Sequence, residues 1–347
     1  MNLFTQIYEY FKMKIKKREE VRIFKEQVKL PKKLETSSAV EFDKTRSVQD
    51  ITKQNLSFNQ RKIGAGSKGY TNKNKDSFFL DTNIVSVADG VGESIGSGIA
   101  AEFVAKKFAE EFKKLEKVDF ESIRGILTKL GNFLKQIYEK EYVESGKIDF
   151  RYVLTDFLAT TLLAVVELQD SYIVIYCGNG SIWYVRGDFW EFLESKRKWP
   201  WCIEDIVIPH STYIGMEALT GFLNYKGLIG EPVIMQLNKN YDKGDIFILT
   251  TDGISSKDQL KIGYSKVDKE IPESLEINNN IYKVLLVLKE FLYKAESFVT
   301  LSDEIKKFLD SNAFYDDATI GILISERAMQ YFEEKMSKRN NKIVKIL

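Results

Sequence analysis

The sequence predicts an α+β layered domain rather than alternating βαβ units, because its strand-like runs are grouped together and its helical runs are grouped together. Two observations carry this. Runs 159–168, 172–177 and 181–185 are apolar and joined only by Gln169-Asp170 and Gly178-Asn179-Gly180, turns short enough for antiparallel hairpins. Just before them, two apolar stripes at helical spacing follow one another, Ala101, Val104, Ala105, Phe108, Phe112 and Leu115, then Phe120, Ile123, Leu127, Leu130, Leu134 and Ile137. Two adjacent amphipathic helices, about 97–116 and 120–142, therefore belong on one side of a sheet.

In chain order, residues 1–31 form a basic amphipathic arm. Phe4, Tyr8, Phe11 and Ile15 recur at helical spacing, and Lys12 to Lys33 hold ten basic against three acidic residues. The arm reads either as a solvated helix packed on its own domain or as a peripheral docking element for an acidic membrane surface or a partner protein. Residues 32–60 are polar and contain no Gly, the composition of a tether. The main domain spans 61–325. It opens with strands at 77–80 and 84–87 around an Asp-Thr-Asn turn, passes through Asp89-Gly90 into the two helices, and continues into the hairpins. A mixed aromatic segment from 188 to 243 leads to a strand at 246–250, helices near 281–294 and 301–309, and a last strand at 319–324. A charged helix, 326–347, closes the chain.

Composition bounds the chemistry. The 347 residues carry net charge +1 and are 44% apolar, which describes a globular protein and argues against broad nucleic-acid binding. Two cysteines, Cys177 and Cys202, form no disulfide framework and lack zinc-site spacing, so a reducing cytoplasm is the expected compartment. The single histidine, His210, leaves a Ser/His/Asp or Cys/His arrangement one candidate base. No apolar run approaches the ~20 residues of a membrane helix, and Glu9 interrupts what would be a signal-peptide core. Catalysis must lean on carboxylates.

Four acidic turns sit beside strand-like runs: Asn74-Lys75-Asp76, Val87-Ala88-Asp89-Gly90, Thr250-Thr251-Asp252-Gly253 and Asp316-Asp317-Ala318-Thr319. Spread so widely, they can meet only in a fold that gathers strand ends. Hard cations such as Mg²⁺ or Mn²⁺ take carboxylate, carbonyl and water oxygens, and two of them ~3.5 to 4 Å apart can activate a water and clamp a phosphate. Asp holds a metal close to the backbone, and the Gly after Asp89 and Asp252 permits a sharp turn and an exposed carbonyl.

With Thr160-Thr161-Leu162-Leu163 and Gly178-Asn179-Gly180 between them, these turns form an ordered set. It resembles the metal-dependent serine/threonine protein phosphatases of type 2C, the PPM family, in their bacterial branch. The resemblance covers about residues 62 to 325. It implies a four-layer αββα sandwich of two antiparallel sheets and a dimetal hydrolase that removes phosphate from phosphoserine or phosphothreonine in proteins, with a serine/threonine kinase as counterpart. Carried over, Asp89 bridges two Mn²⁺ or Mg²⁺ ions, Gly90 offers its carbonyl, Asp252 and Asp316 bind one ion, and Asp76 binds directly or orients water. Thr160 and Thr161 match a structural Thr pair.

Several positions depart from that pattern. Lys75 replaces an acidic residue or Gln, and Thr71 stands where many members have a phosphate-gripping Arg. Lys68, Lys73 and Lys75 are the candidate replacements, as point charges rather than a bidentate fork. Asn179 replaces an Asp that helps hold a third metal, so two ions rather than three are expected. Val91 stands where some relatives place a His, which leaves protonation of the leaving group to water. The implied outcome is a slow or narrow phosphatase, with a phosphoprotein-binding pseudophosphatase as the alternative.

Two further features have simpler readings. The run from Gly64 to Thr71 is one residue short of a P-loop, but Tyr70 replaces the essential Lys, and a strand-like run rather than a helix follows. Trp190, Trp199, Pro200 and Trp201 crowd a segment where relatives carry a flap, and core packing is the favoured role over a partner surface. His210 is read as structural.

Overall fold

A computed structural model describes residues 62–71, 73–92, 94–145, 156–186, 203–207, 210–213, 217–255, 279–293 and 299–344. The arm, the tether, Cys202 and the four-residue Trp/Pro group expected at 190 to 201 lie outside these residues.

Two five-stranded antiparallel sheets face each other. The first has the order β1 (Ile63–Lys68), β14 (Ala318–Ile324), β13 (Asp245–Thr250), β6 (Ser181–Arg186), β7 (Ile203–Asp205). The second runs β12 (Val233–Asn238), β5 (Ser171–Cys177), β4 (Leu162–Glu167), β3 (Ile84–Ala88), β2 (Ser77–Leu80). Three-residue strands β8 (Ser211–Tyr213) and β9 (Glu217–Leu219), and β10 (Phe222–Asn224) and β11 (Gly227–Ile229), pair as two hairpins.

Strand alternation decides the layers. Val85, Val87, Leu163, Val165, Val174, Phe247, Leu249 and Leu323 fill the space between the sheets. Their alternate neighbours, Ile84, Leu162, Ala164, Val166, Ile173 and Ile175, turn outward and meet helices α1 (Ser97–Phe112) and α2 (Phe120–Tyr138). On the other sheet Ile246, Ile248, Ile320, Ile322 and Ile324 meet α3 (Asn279–Tyr293), α4 (Leu301–Ser311) and α5 (Glu326–Val344). The result is the αββα sandwich. Each fully buried Leu, Ile, Val or Phe in these layers is worth ~1.5 to 3 kcal/mol relative to exposure.

Local signals place the helix ends. Asp119 caps α2 by accepting the Ser122 amide at 2.8 Å, and a capping box between Thr300 and Asp303 starts α4. Helix α2 stops at Tyr138, short of the expected 142, where the backbone widens into a π turn over Glu139–Val143. Strand β1 takes up the first part of the run from Gly64 to Thr71 that resembles a P-loop. A Cβ on Gly64 would lie 2.7 Å from the Leu301 side chain, so glycine there lets α4 press directly on the strand. Among the described residues no helix is long and apolar enough to cross a membrane.

Candidate metal centre

The antiparallel registers carry β3 out to Asp89, β13 out to Asp252, and the entrances of β2 and β14 back to Asp76 and Asp316, all at one end of the sandwich. Asp76 and Asp89, and Asp89 and Asp252, lie close enough to shift one another's titration, and the charge of Asp316 acts on both Asp89 and Asp252. All four expected carboxylates are therefore neighbours.

A dense set of hydrogen bonds fixes them. The Thr161 hydroxyl accepts the Asp89 amide at 2.9 Å, while the Thr160 hydroxyl and the Thr161 amide donate to the Asp89 carbonyl at 2.9 and 2.8 Å. Gly90, beside this clamp, is buried and bridges to Thr160. The Thr251 hydroxyl donates to Asp76 Oδ2 at 2.7 Å and accepts the Thr319 amide at 2.9 Å. Asn179 Nδ2 donates to Asp252 Oδ2 at 2.7 Å, so the departure at 179 supplies a neutral donor where a carboxylate would repel. Gly253 is needed for closure, because a Cβ there would sit 2.0 Å from the Asp317 carbonyl oxygen.

Electrostatics follow from crowding. Burial, opposed by the Thr251 hydrogen bond, lifts the Asp76 carboxyl to about 7. Asp89 is raised well above the carboxylate range, first by withdrawal from water and then by the charge of Asp76. Asp252 is raised for the same first reason, then by Asp89 and Asp316, with the Asn179 donor acting the other way. These groups press on one another with charges of one sign.

The donor chemistry suits a hard divalent cation. Asp76 Oδ1 and Asn179 Oδ1 are buried oxygens with no hydrogen-bond partner among the described residues, and hard oxygen donors of this kind are what such a cation takes. Among the described residues, however, no group of three or more Asp, Glu, His or Cys side chains is arranged to hold an ion as it stands.

The three candidate phosphate-binding lysines separate. Lys68 Nζ donates to the carbonyls of Leu309 at 2.8 Å and Asn312 at 2.7 Å, capping the end of α4. Lys75 Nζ donates to the Gly92 carbonyl at 2.6 Å, just beyond Asp89-Gly90. Lys73 and Thr71 are exposed on the intervening loop. Val91 uses its amide on the Ala159 carbonyl at 3.0 Å.

Asp317 is a residue that the motif reading passed over. Buried, it accepts the Tyr70 amide on Oδ1 at 2.7 Å and the Lys75 amide on Oδ2 at 2.8 Å, so it ties the loop before Asp76 to the start of β14. The doubled Asp at 316 and 317 was its only sequence signal. His210 lies beside the hairpin of Asn179, its amide donating to the Gly178 carbonyl at 2.7 Å and its ring edge-on to Tyr176. Burial lowers its pKa.

A family model described as "Protein phosphatase 2C" matches residues 71–309. Among curated proteins no sequence matches the chain. Solved structures similar to it include the catalytic domain of the serine/threonine protein phosphatase PstP in complex with two manganese ions, at 14% identity over 76% of this chain and 98% of that chain, TM-score 0.48. Another is the PPM Ser-Thr phosphatase MsPP from Mycobacterium smegmatis in complex with cacodylate, at 14% identity, 75% and 97% coverage and TM-score 0.45. A third is PppA, described as a key regulatory component of T6SS in Pseudomonas aeruginosa, at 15% identity, 76% and 97% coverage and TM-score 0.44.

Proposed function

Because the chain belongs to the protein phosphatase 2C family, we propose that the acidic end of its sandwich hydrolyses phosphoserine and phosphothreonine in proteins with two Mn²⁺ or Mg²⁺ ions. The observation that carries this is the meeting of Asp76, Asp89, Asp252 and Asp316 at one end of the sandwich, drawn from four distant turns, with Asp76 buried, Asp89 and Asp252 partly buried and Asp316 exposed. A purely structural cluster of this kind would be costly. Asp89 would hold both cations, the Gly90 carbonyl would be a further ligand, Asp252 and Asp316 would hold one of the ions, and Asp76 would bind directly or orient water. When bound, such ions supply Lewis acidity, lower the pKa of water and offset charge on the phosphate ester.

The chain's own residues do the rest. Thr160 and Thr161 fix the Asp89 backbone, Thr251 fixes Asp76, and Asn179 holds one oxygen of Asp252. Lys73 and Lys75 are the basic groups placed on the loop leading to Asp76, and they supply point-charge attraction for the phosphate. Water adds to phosphorus, the seryl or threonyl oxygen departs, and its proton comes from solvent, because Val91 offers none. A serine/threonine kinase is the counterpart that makes the substrate.

A second reading, a phosphoprotein-binding scaffold without turnover, is favoured by the finding that, among the described residues, no three acidic, His or Cys side chains are arranged to hold an ion. Release of phosphate from a phosphothreonine peptide, assayed with and without Mn²⁺, decides between them. Manganese-dependent release supports the enzyme. No release, together with no heat of Mn²⁺ binding in calorimetry, overturns it in favour of the scaffold.

A further inference from the structure

Beside the acidic cluster lies a cleft of about 220 Å³, lined by Lys68, Gly69, Tyr70, Ala313, Phe314 and Asp316. We propose that it seats an apolar side chain of the phosphoprotein substrate, next to the phosphorylated residue, with Tyr70 and Tyr315 as its recognition rim. This rests on the phosphatase-family reading above and names what the same site selects.

Continuity places the cleft. Asp316 lines it and also belongs to the carboxylate cluster, so a peptide whose phosphate reaches the cluster passes its flanking residues over this opening. Size limits the occupant. Small-molecule pockets run from roughly 300 to 1,000 Å³, and a smaller cleft suits a single side chain.

Chemistry makes the occupant apolar. Phe314 lines the cleft, edge-on to Phe308 at 6.1 Å and 5.7 Å from the Lys68 ammonium. That ammonium has its donor groups turned to the carbonyls at the end of α4, which leaves the Phe314 ring as the uncommitted wall of the cleft. Tyr70, which lines the cleft, is 61% exposed, and Tyr315, between the lining residues Phe314 and Asp316 in sequence, is 87% exposed. Tyrosine gives broad contact area at low entropic cost and is enriched at binding hot spots.

The rim is also rigidly carried. Asp317, buried directly after Tyr315 and Asp316, accepts the Tyr70 and Lys75 amides, which fastens the two walls of the cleft to each other. Exposed aromatics on a braced turn are pre-organised for contact.

The test measures fluorescence anisotropy of labelled nonapeptides bound to the full chain in Mn²⁺. A non-hydrolysable phosphonate replaces the central phosphoserine, and Leu or Gly is scanned over three positions on each side. One Leu position is expected to bind about tenfold tighter than its Gly counterpart. That preference is expected to vanish in Tyr70→Ala/Tyr315→Ala, to persist in Tyr70→Phe/Tyr315→Phe, and to vanish in Ala313→Trp, which fills the cleft from its exposed rim without removing any packing. Equal binding of every Leu and Gly peptide, a preference for Lys or Glu at the same position, or a Leu preference that survives both the double Ala and the Trp variants overturns the proposal. Wild-type turnover of p-nitrophenyl phosphate, measured alongside, reports on the catalytic reading alone, so the two can fail separately.

Discussion

The two ends of the sandwich both bury carboxylates, and they treat them in opposite ways. At the far end Glu167 is clasped by Lys62 and by Lys239 at 2.9 Å, and Asp245 accepts the Tyr184 hydroxyl at 2.6 Å and the Asn240 amide at 2.8 Å. At the near end Asp76, Asp89 and Asp252 face one another and Asp316, with Thr251 and Asn179 as the neutral donors to Asp76 and Asp252. Burial without compensation is a cost that a purely structural element has no reason to carry. The far end closes the fold, and the near end leaves like charges facing one another, which the proposed cations would offset.

The sharpest break in this contrast comes from Asp89→Asn. Manganese-dependent phosphate release is expected to fall ~10³-fold or more, since Asp89 is the carboxylate proposed to serve both ions. Metal-free thermal stability is expected to stay level or rise, because one of several crowded charges is gone, and a differential scan reads this directly. A fall in both would show that Asp89 is structural.

Glu167→Ala reverses the pattern. Leaving two lysine ammonium groups beside an empty site is expected to cost ~3 to 5 kcal/mol in urea unfolding, while activity per folded molecule stays near wild type. Next in size is ligand linkage. Mn²⁺ at 100 times its dissociation constant is expected to stabilise the wild type by about 2.7 kcal/mol and Asp89→Asn far less, and equal stabilisation of both would place the ion elsewhere.

The smallest effect belongs to the surface. Hydrogen bonds from Lys114 and Lys129, with their charges, hold the Glu111 carboxyl down at about 2. A depressed carboxyl stabilises the fold above its unfolded value near 4.5, and that stability is lost as pH falls toward 2. With both lysines about half exposed or more, the effect is expected to be under ~1 kcal/mol. In Lys114→Ala/Lys129→Ala the acid limb of the stability profile between pH 4.5 and 2 is expected to flatten slightly, and an unchanged limb would remove the pair from the account.

Long apolar periods were the legible part of the fold. The α1 and α2 stripes and the hairpins from β4 to β6 stood in the sequence because each residue's neighbours alone determine the period. Strand β1 did not, since Gly64-Ala65-Gly66 has no alternation to read and owes its state to β14 on one side and α4 above. Strands β7 to β11 are three residues each, shorter than any period. At the site, the four aspartates were visible as motifs, whereas Asp317 and the α4-capping role of Lys68 depend on partners more than two hundred residues away.

The clamp of Thr160 and Thr161 on Asp89 ties the fate of the site to that of the sheet. With the amide and carbonyl of Asp89 both engaged by the start of β4, the residue cannot leave its place unless the β3–β4 ladder opens. In hydrogen exchange the Asp89 amide therefore belongs to the same cooperative unit as the amides of the central strands. If the proposed cations bind there, their loss would leave the Asp89 backbone held as before, and exchange of metal would not require the sheet to unfold.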